Sequence, residues 1–367
     1  MKYMYLIIII ISLLFLSCNN NKNKNIENGI DISILGSDTL TIEQQIEQVS
    51  KLAESLSKTK LKLTIKEFKN YIIEDGDYIE IVNDGTILDS MVINANNVTI
   101  VANNLLYADK PILQYPNKII IDGKNKTMVG ITINGTNVIL INFDVSNCKQ
   151  VGVRWNGWNG YAANGLIHKI GFNYYQNTDS IIFSNQSGFR IYGIGTILNN
   201  VSIDSTAFDA CGIGVSGVTI KNCKFTNVAL AGHSNGDGVQ LYEDVVPMDA
   251  IFTMTNTYIN VKNAIKHCLL GHDRKIIAIN NILVGGSSGI IAGSGSIIDN
   301  NTISDQQTNL FTKTIGRGII LMSSNVYCKN NKISNDNTGI LVRVGGNIPG
   351  LETDNIFNNC LYNVKYK

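Results

Sequence analysis

Ile220-Lys221-Asn222-Cys223-Lys224-Phe225 is one line of a phrase that keeps returning along the chain. It stands again as Met254-Thr255-Asn256-Thr257-Tyr258-Ile259, as Ile298-Asp299-Asn300-Asn301-Thr302-Ile303 and as Cys328-Lys329-Asn330-Asn331-Lys332-Ile333. The form is an apolar residue, any residue, Asn, two residues, and an apolar residue. Leu140–Val145 and Ile279–Val284 fit it, and Ile203–Phe208 keeps the frame with Ser205 in the Asn place. The framed positions are 142, 205, 222, 256, 281, 300 and 330, with Asn355 next, and from 205 to 355 the mean step is 25 residues.

A second phrase follows most of these, starting at Val151, Cys211, Asp237, Asn263, Ser288, Arg317 and Thr338. Each instance sets two apolar residues one apart, the period of a strand with one buried face. Short strands, a repeat near 25 residues, 33 Gly and only 4 Pro are the pattern of a stacked coil. A single coil cannot bury its own inward valines and isoleucines. Stacking sets like upon like and makes a continuous core. An Asn recurring at one bend can bond its amide to the same residue above and below, and it tolerates the left-handed backbone of a tight bend. A β-sandwich fits less well, because its strands alternate cleanly with turns every 8 to 12 residues or so.

The pattern resembles the right-handed parallel β-helix superfamily, the pectate-lyase-like fold, over residues 76 to 365. An all-β, right-handed parallel β-helix solenoid with a short N-terminal capping α-helix is therefore expected. The helix is read from Ile42, Ile46, Val49, Leu52, Ala53 and Leu56 at helical spacing, with Thr41 and Gln44 forming a capping box. The expected divisions are a signal at 1–17, a polar tether at 18–40, a helical cap at 41–75 and the β-helix at 76–367.

The signal rests on Lys2, the apolar run Leu6–Leu16 and the small residue Ser17. The run is too short to span a bilayer stably. Phe15-Leu16-Ser17-Cys18 resembles a bacterial lipobox, which implies a lipid on Cys18 and an exported protein held at a membrane. Without residues 1–17 the chain carries 29 basic and 29 acidic residues, a balance that argues against nucleic acid as a partner. The remaining six cysteines show no metal-type spacing and are read as buried small hydrophobes ahead of disulfides.

Two places are candidates for chemistry. One is the stretch from Arg154 to Asp179, which holds both tryptophans, Trp155 and Trp158, followed by Tyr161, His168, Phe172, Tyr174 and Tyr175. Flat aromatic faces suit sugar rings, although such a loop can equally pack as its own small core. The other is Ala231–Asp244 together with Asn263–His267. Aligning Ile265 with Val239 sets Lys266 beside Gln240 and Asn263 beside Asp237, with adjacent strands about 4.8 Å apart. Ser288 and Arg317 then share the column of Asp237, Arg154 that of Gln240, and His233 flanks the patch. His267 and His272 are read as structural.

The patch looks like that of calcium-dependent pectate lyases whose base is a lysine. The resemblance implies Asp237 as a ligand of Ca2+ and Lys266 as general base, with Arg317 or Arg154 gripping a uronate carboxylate. Arg317 and His233 complete the catalytic candidates. Arg154, Trp155, Trp158, Tyr161, Gln240 and Asn263 are the substrate-binding ones. The expected function is a surface-anchored protein acting on a uronic-acid polysaccharide by β-elimination. The alternative is a glycan-binding, adhesive or purely structural surface lipoprotein without catalysis.

Overall fold

The computed structural model describes residues 41–82, 88–102, 118–171, 186–230, 236–261, 266–308, 315–343 and 347–367. The expected signal and tether, Cys18, His233, Asn263, Phe172, Tyr174 and Tyr175 lie outside the described residues.

A coil of the chain has three faces. Val218–Lys221 lies on face one, Lys224–Val228 on face two and Val239–Leu241 on face three. Each strand pairs in parallel with the one a coil later, as Val218–Lys221 does with Ile251–Thr255 and Ser288–Ala292 with Arg317–Leu321. Among the described residues, faces one and two form a nineteen-stranded sheet and face three an eleven-stranded one. Parallel strands joined within one sheet wind right-handed, and the molecule is the right-handed parallel β-helix that the repeat predicts. One apolar cluster runs through its interior from Ile65 to Leu351.

Two helical pieces close the N-terminal side. Helix α1, Ile42–Leu56, has the expected capping box, with Thr41 and Gln44 bonded reciprocally. Its Ile46, Val49 and Ala53 are buried. Ser50 Oγ lies 3.1 Å from Tyr78 Oη, and Gln45 Oε1 accepts from Lys221 Nζ at 2.8 Å. The helix thus lies against the outer side of face one, where Ile139, Ile141, Tyr161 and Ala163 are enclosed. Helix α2, Ile65–Phe68, sends Ile65 and Phe68 into the end of the core. Between the two, Thr59–Leu63 already pairs with Asp77–Ile81, so the solenoid begins before the boundary expected at 76.

The bend between faces one and two (bend one) explains the Asn phrase. Asn142, Asn164, Asn200, Asn222, Asn256, Asn280, Asn300 and Asn330 all take φ between 49° and 61° there. Asn tolerates this left-handed region better than other residues bearing a Cβ. One residue later a second, enclosed ladder runs Thr257, Asn281, Asn301, Asn331, Asn355. Asn301 Nδ2 donates to Asn331 Oδ1 at 2.9 Å, while its own Oδ1 accepts from Asn281 Nδ2 at 2.9 Å. The sequence frame merged these two ladders, because Asn281 and Asn355 belong to the inner one. Ser205, φ 58°, belongs to a different corner, the bend between faces two and three (bend two). The coil between neighbouring outer amides is as short as 20 residues and as long as 34, which is why a mean spacing blurs the columns.

All six cysteines among the described residues are free, and all but the half-buried Cys360 are enclosed.

Candidate functional site

The polar side chains of interest gather on face three. Its outward column one residue past the central inward position reads Thr132, Arg154, Arg190, Gly212, Gln240, Leu270 through successive coils. Arg154 and Gln240 therefore do share a column. Arg190 was not anticipated, although Ser187-Gly188-Phe189-Arg190-Ile191 repeats Val151-Gly152-Val153-Arg154-Trp155 position for position.

Arg190 is the centre of the best-formed arrangement. Its Nε donates to Tyr242 Oη at 3.3 Å, and its guanidinium carbon lies 5.2 Å from the Tyr242 ring centroid and 5.7 Å from that of Tyr192. Both rings lie down on the coil between them because its outward positions are glycines. A Cβ on Gly212 would meet Tyr242 Oη at 1.8 Å, and one on Gly214 would meet Tyr192 Cδ1 at 2.5 Å. Gly212-Ile213-Gly214 is thus a shelf carrying two phenol rings and a cation. Burial, and then the carboxylate of Asp209, push the Tyr242 phenol well above its ordinary range, so it stays protonated at neutral pH.

Lys266 does not sit beside Gln240. Val239 pairs with Leu269 and Gln240 with Leu270, four residues from the expected register, so the strand of that coil is His267–Leu270. The physical reason lies in one residue. The position before the central inward side chain is Gly152, Gly188, Gly238, Gly289, Gly318 and Gly339 in other coils. There a Cβ would strike the next carbonyl or an isoleucine from face two, as at Gly289 with Gly318 O at 2.5 Å. In this coil the place is taken by Cys268. The glycine that marks the register elsewhere is missing.

Asp237 is also displaced from its expected role. It lies two residues before Val239 and so shares its inward side. It is 0 % exposed, its Oδ1 accepts the His267 N–H at 2.8 Å, and its Oδ2 has no partner. Burial, partly offset by Lys266, raises its carboxyl to about 7. Asp209, one coil earlier, is enclosed as well, and burial followed by the charge of Asp237 pushes it well above its usual range. The Ca2+ expectation does not fit these residues, since a single enclosed carboxylate already bonded to backbone offers a cation too few open oxygens. Among the described residues no three His, Cys, Asp or Glu side chains converge as a metal site.

Ser288 and Arg317 do follow in the column of Asp237, through His267. Burial, then Lys266 and its basic neighbours, hold His267 down to about 3, so its ring is neutral. Among the described residues no acid lies within ion-pair distance of Arg154, Lys266, Arg317 or Arg343. Face three therefore carries positive charge not neutralised at its surface.

The tryptophan stretch divides. Trp155 is 0 % exposed and stacks on Phe189 with centroids 6.2 Å apart. Tyr161 is 1 % exposed and its Oη accepts from Asn199 Nδ2 at 2.9 Å. Neither can touch a substrate as they stand, because Val151–Trp155 and Tyr161–Ile170 are ordinary strands rather than a loop. Trp158, in the turn between them, is 58 % exposed.

No family model matches the chain, and no curated protein matches its sequence. Among solved structures, the chain is similar to the A-module of mannuronan C-5 epimerase AlgE4 from Azotobacter vinelandii, at 14% identity and a TM-score of 0.52, covering 91% of this chain and 96% of that one. The AlgE6 A-module from the same organism follows at 12% identity and 0.48, covering 91% and 94%. A complex of alginate lyase AlyF-OU02 with G6 stands at 14% identity and 0.41, covering 85% and 60%. At these identities the likeness speaks for the fold.

Proposed function

We propose that the protein is carbohydrate-active and that face three holds an acidic polysaccharide, on which it performs β-elimination at a uronate. The observation that carries this reading is Arg190 set between Tyr192 and Tyr242 on a glycine shelf, in one column with Arg154 and Gln240. Phenol rings offer sugars a flat apolar surface, and a guanidinium matches a carboxylate in a two-pronged geometry. The unpaired cations Lys266 and Arg317 extend the same preference for negative charge. The protein AlgE4 in the fold comparison is named for its action on mannuronan, itself a uronate polymer, which agrees with this reading.

In the elimination, an arginine on the carboxylate makes the adjacent ring proton more acidic. Lys266 takes that proton, the electron pair forms the ring double bond, and the bond to the glycosidic oxygen breaks. The leaving oxygen needs a proton, and the protonated Tyr242 phenol is the donor beside Arg190. Fatty acylation at Cys18 would hold the solenoid at a membrane surface, where such a polymer is met. A Cys18→Ser variant that still incorporates labelled fatty acid refutes the anchor.

The test is incubation of the full chain with mannuronate, guluronate, galacturonate and neutral polysaccharides. Ultraviolet-absorbing unsaturated ends are expected from a uronate polymer, and their loss in Arg190→Ala and in Lys266→Ala. A second reading, glycan binding without cleavage, is favoured by the enclosure of Asp209 and Asp237, which takes both carboxylates of the column away from a substrate. It predicts retention on uronate glycans, weakened by Trp158→Ala and Arg190→Ala, with no new ends. Silence in both assays removes the acidic glycan altogether.

A further inference from the structure

We propose that Asp237 is a positioning residue for Lys266, and that Asp209 holds Asp237 in place for that task. The proposal deepens the reading above, since it rests on Lys266 as the base.

In ordinary coils the first N–H of the face-three strand is taken by a backbone carbonyl of the neighbouring coil. Ser187 N donates to Gln150 O, Arg317 N to Ser287 O and Thr338 N to Gly316 O. Two coils depart from this, and they are consecutive. Asp237 N donates to Asp209 Oδ1 at 2.8 Å, and His267 N donates to Asp237 Oδ1 at 2.8 Å. At each point a side-chain oxygen takes the place of the peptide oxygen. A carboxylate reaches farther from its own backbone than a carbonyl does, so it can catch a strand whose start is offset from the regular ladder. His267 directly follows Lys266, so the bond from Asp237 fixes the peptide joined to the base.

The choice of Asp rather than Asn at both points has a reason. A carboxylate is an acceptor only, whereas an amide would bring two N–H donors into an enclosed place. Asp237 Oδ2 already lacks a partner there. The neighbourhood compensates with cations. Lys266 faces both carboxylates, Arg190 and the phenol of Tyr242 face Asp209, and the peptide of His267 and the thiol of Cys268 face Asp237. Asp209 and Asp237 thus form a two-step stair under the cationic part of face three. It ends at the residue assigned as base.

The experiment compares the full chain with Asp237→Ala, Asp237→Asn and Asp237→Glu, by amide hydrogen exchange of His267–Leu270 and by initial rates of unsaturated-end release from a uronate polymer. Asp237→Ala is expected to lose protection at the His267 amide and to drop kcat by about tenfold or more with KM little changed. Asp237→Asn keeps Oδ1 and should restore both readouts. Asp237→Glu, which moves the oxygen by one methylene, serves if the alanine variant does not fold and should lower both. Unchanged protection in Asp237→Ala, or lost protection with an unchanged kcat, overturns the proposal. If the unaltered protein releases no ends, the elimination reading fails, and the exchange data still decide whether Asp237 fixes the Lys266–His267 peptide.

Discussion

Bend one and the start of face three are built by the same operation, a polar side chain stacked on its counterpart one coil on, and they come out opposite in character. An asparagine amide carries both a donor and an acceptor. Asn281, Asn301, Asn331 and Asn355 therefore hand a hydrogen bond down the column without charge and with every step alike. A carboxylate has no donor to pass on. Asp209 and Asp237 can stack only by accepting from backbone N–H groups, and they leave charge in an enclosed place. The neutral ladder is a self-sufficient spine. The carboxylate stair requires the surrounding cations, and that requirement ties it to Arg190 and Lys266.

The largest effect that would sharpen this contrast is expected at Asn301→Ala. It removes bonds to Asn331 and Ala278 and strands the Asn281 amide in the interior. A loss of about 3 kcal/mol in denaturant unfolding follows from enclosed groups left unsatisfied, and it should be the same at pH 5 and pH 8, because that ladder holds no titratable group. A pH-dependent loss would break the comparison.

The stair should behave in the opposite way. Asp237 is raised to about 7 in the folded protein, so between its ordinary value and 7 the folded state holds a proton that the unfolded chain has released. Its contribution to stability is full in acid and is lost as the pH rises through about 7, at about 1.4 kcal/mol per pH unit for one proton. Asp237→Asn should flatten the fall of stability from pH 4 to pH 7 by that amount. An unaltered slope counts against an enclosed, proton-holding pair. Asp336, raised to about 8 by burial, contributes a fall of its own that the variant leaves in place.

Smaller effects separate the surfaces of the two regions. Tyr242→Phe deletes one hydrogen bond to Arg190 and should cost about 1 kcal/mol in thermal unfolding. Asn300→Gly, on the exposed outer column of bend one, gives up one amide bond but keeps φ 52° accessible, so a change within about 0.5 kcal/mol is expected. A cost as large as that of Asn301→Ala would mean that the outer ladder, not the inner one, carries bend one.

Much of this fold was legible because the solenoid repeats it. The Asn phrase, the paired apolar residues and the capping box at Thr41 each depend on neighbours close in sequence. The site was legible only in part. Arg154 and Gln240 fell into one column as the spacing implied. Lys266 did not, because Cys268 replaces the glycine that would have announced the register. Trp155 and Tyr161 looked like an exposed aromatic loop in a run of Asn and Gly, and strand parity together with the cover of α1 put them inside. Tyr192 and Tyr242 carried no sign of their partnership, which depends on two small residues in the coil between them.

The amino-acid sequence alone determined that this chain winds into stacked parallel coils, since the inward side chains and left-handed asparagines recur at distances local sequence can encode. Only the tertiary structure decided which side chains share a wall. Coil length varies between 20 and 34 residues, and one residue of slip reverses every side chain on a strand. Register across coils is therefore fixed by packing against the coil beneath rather than by any count along the chain.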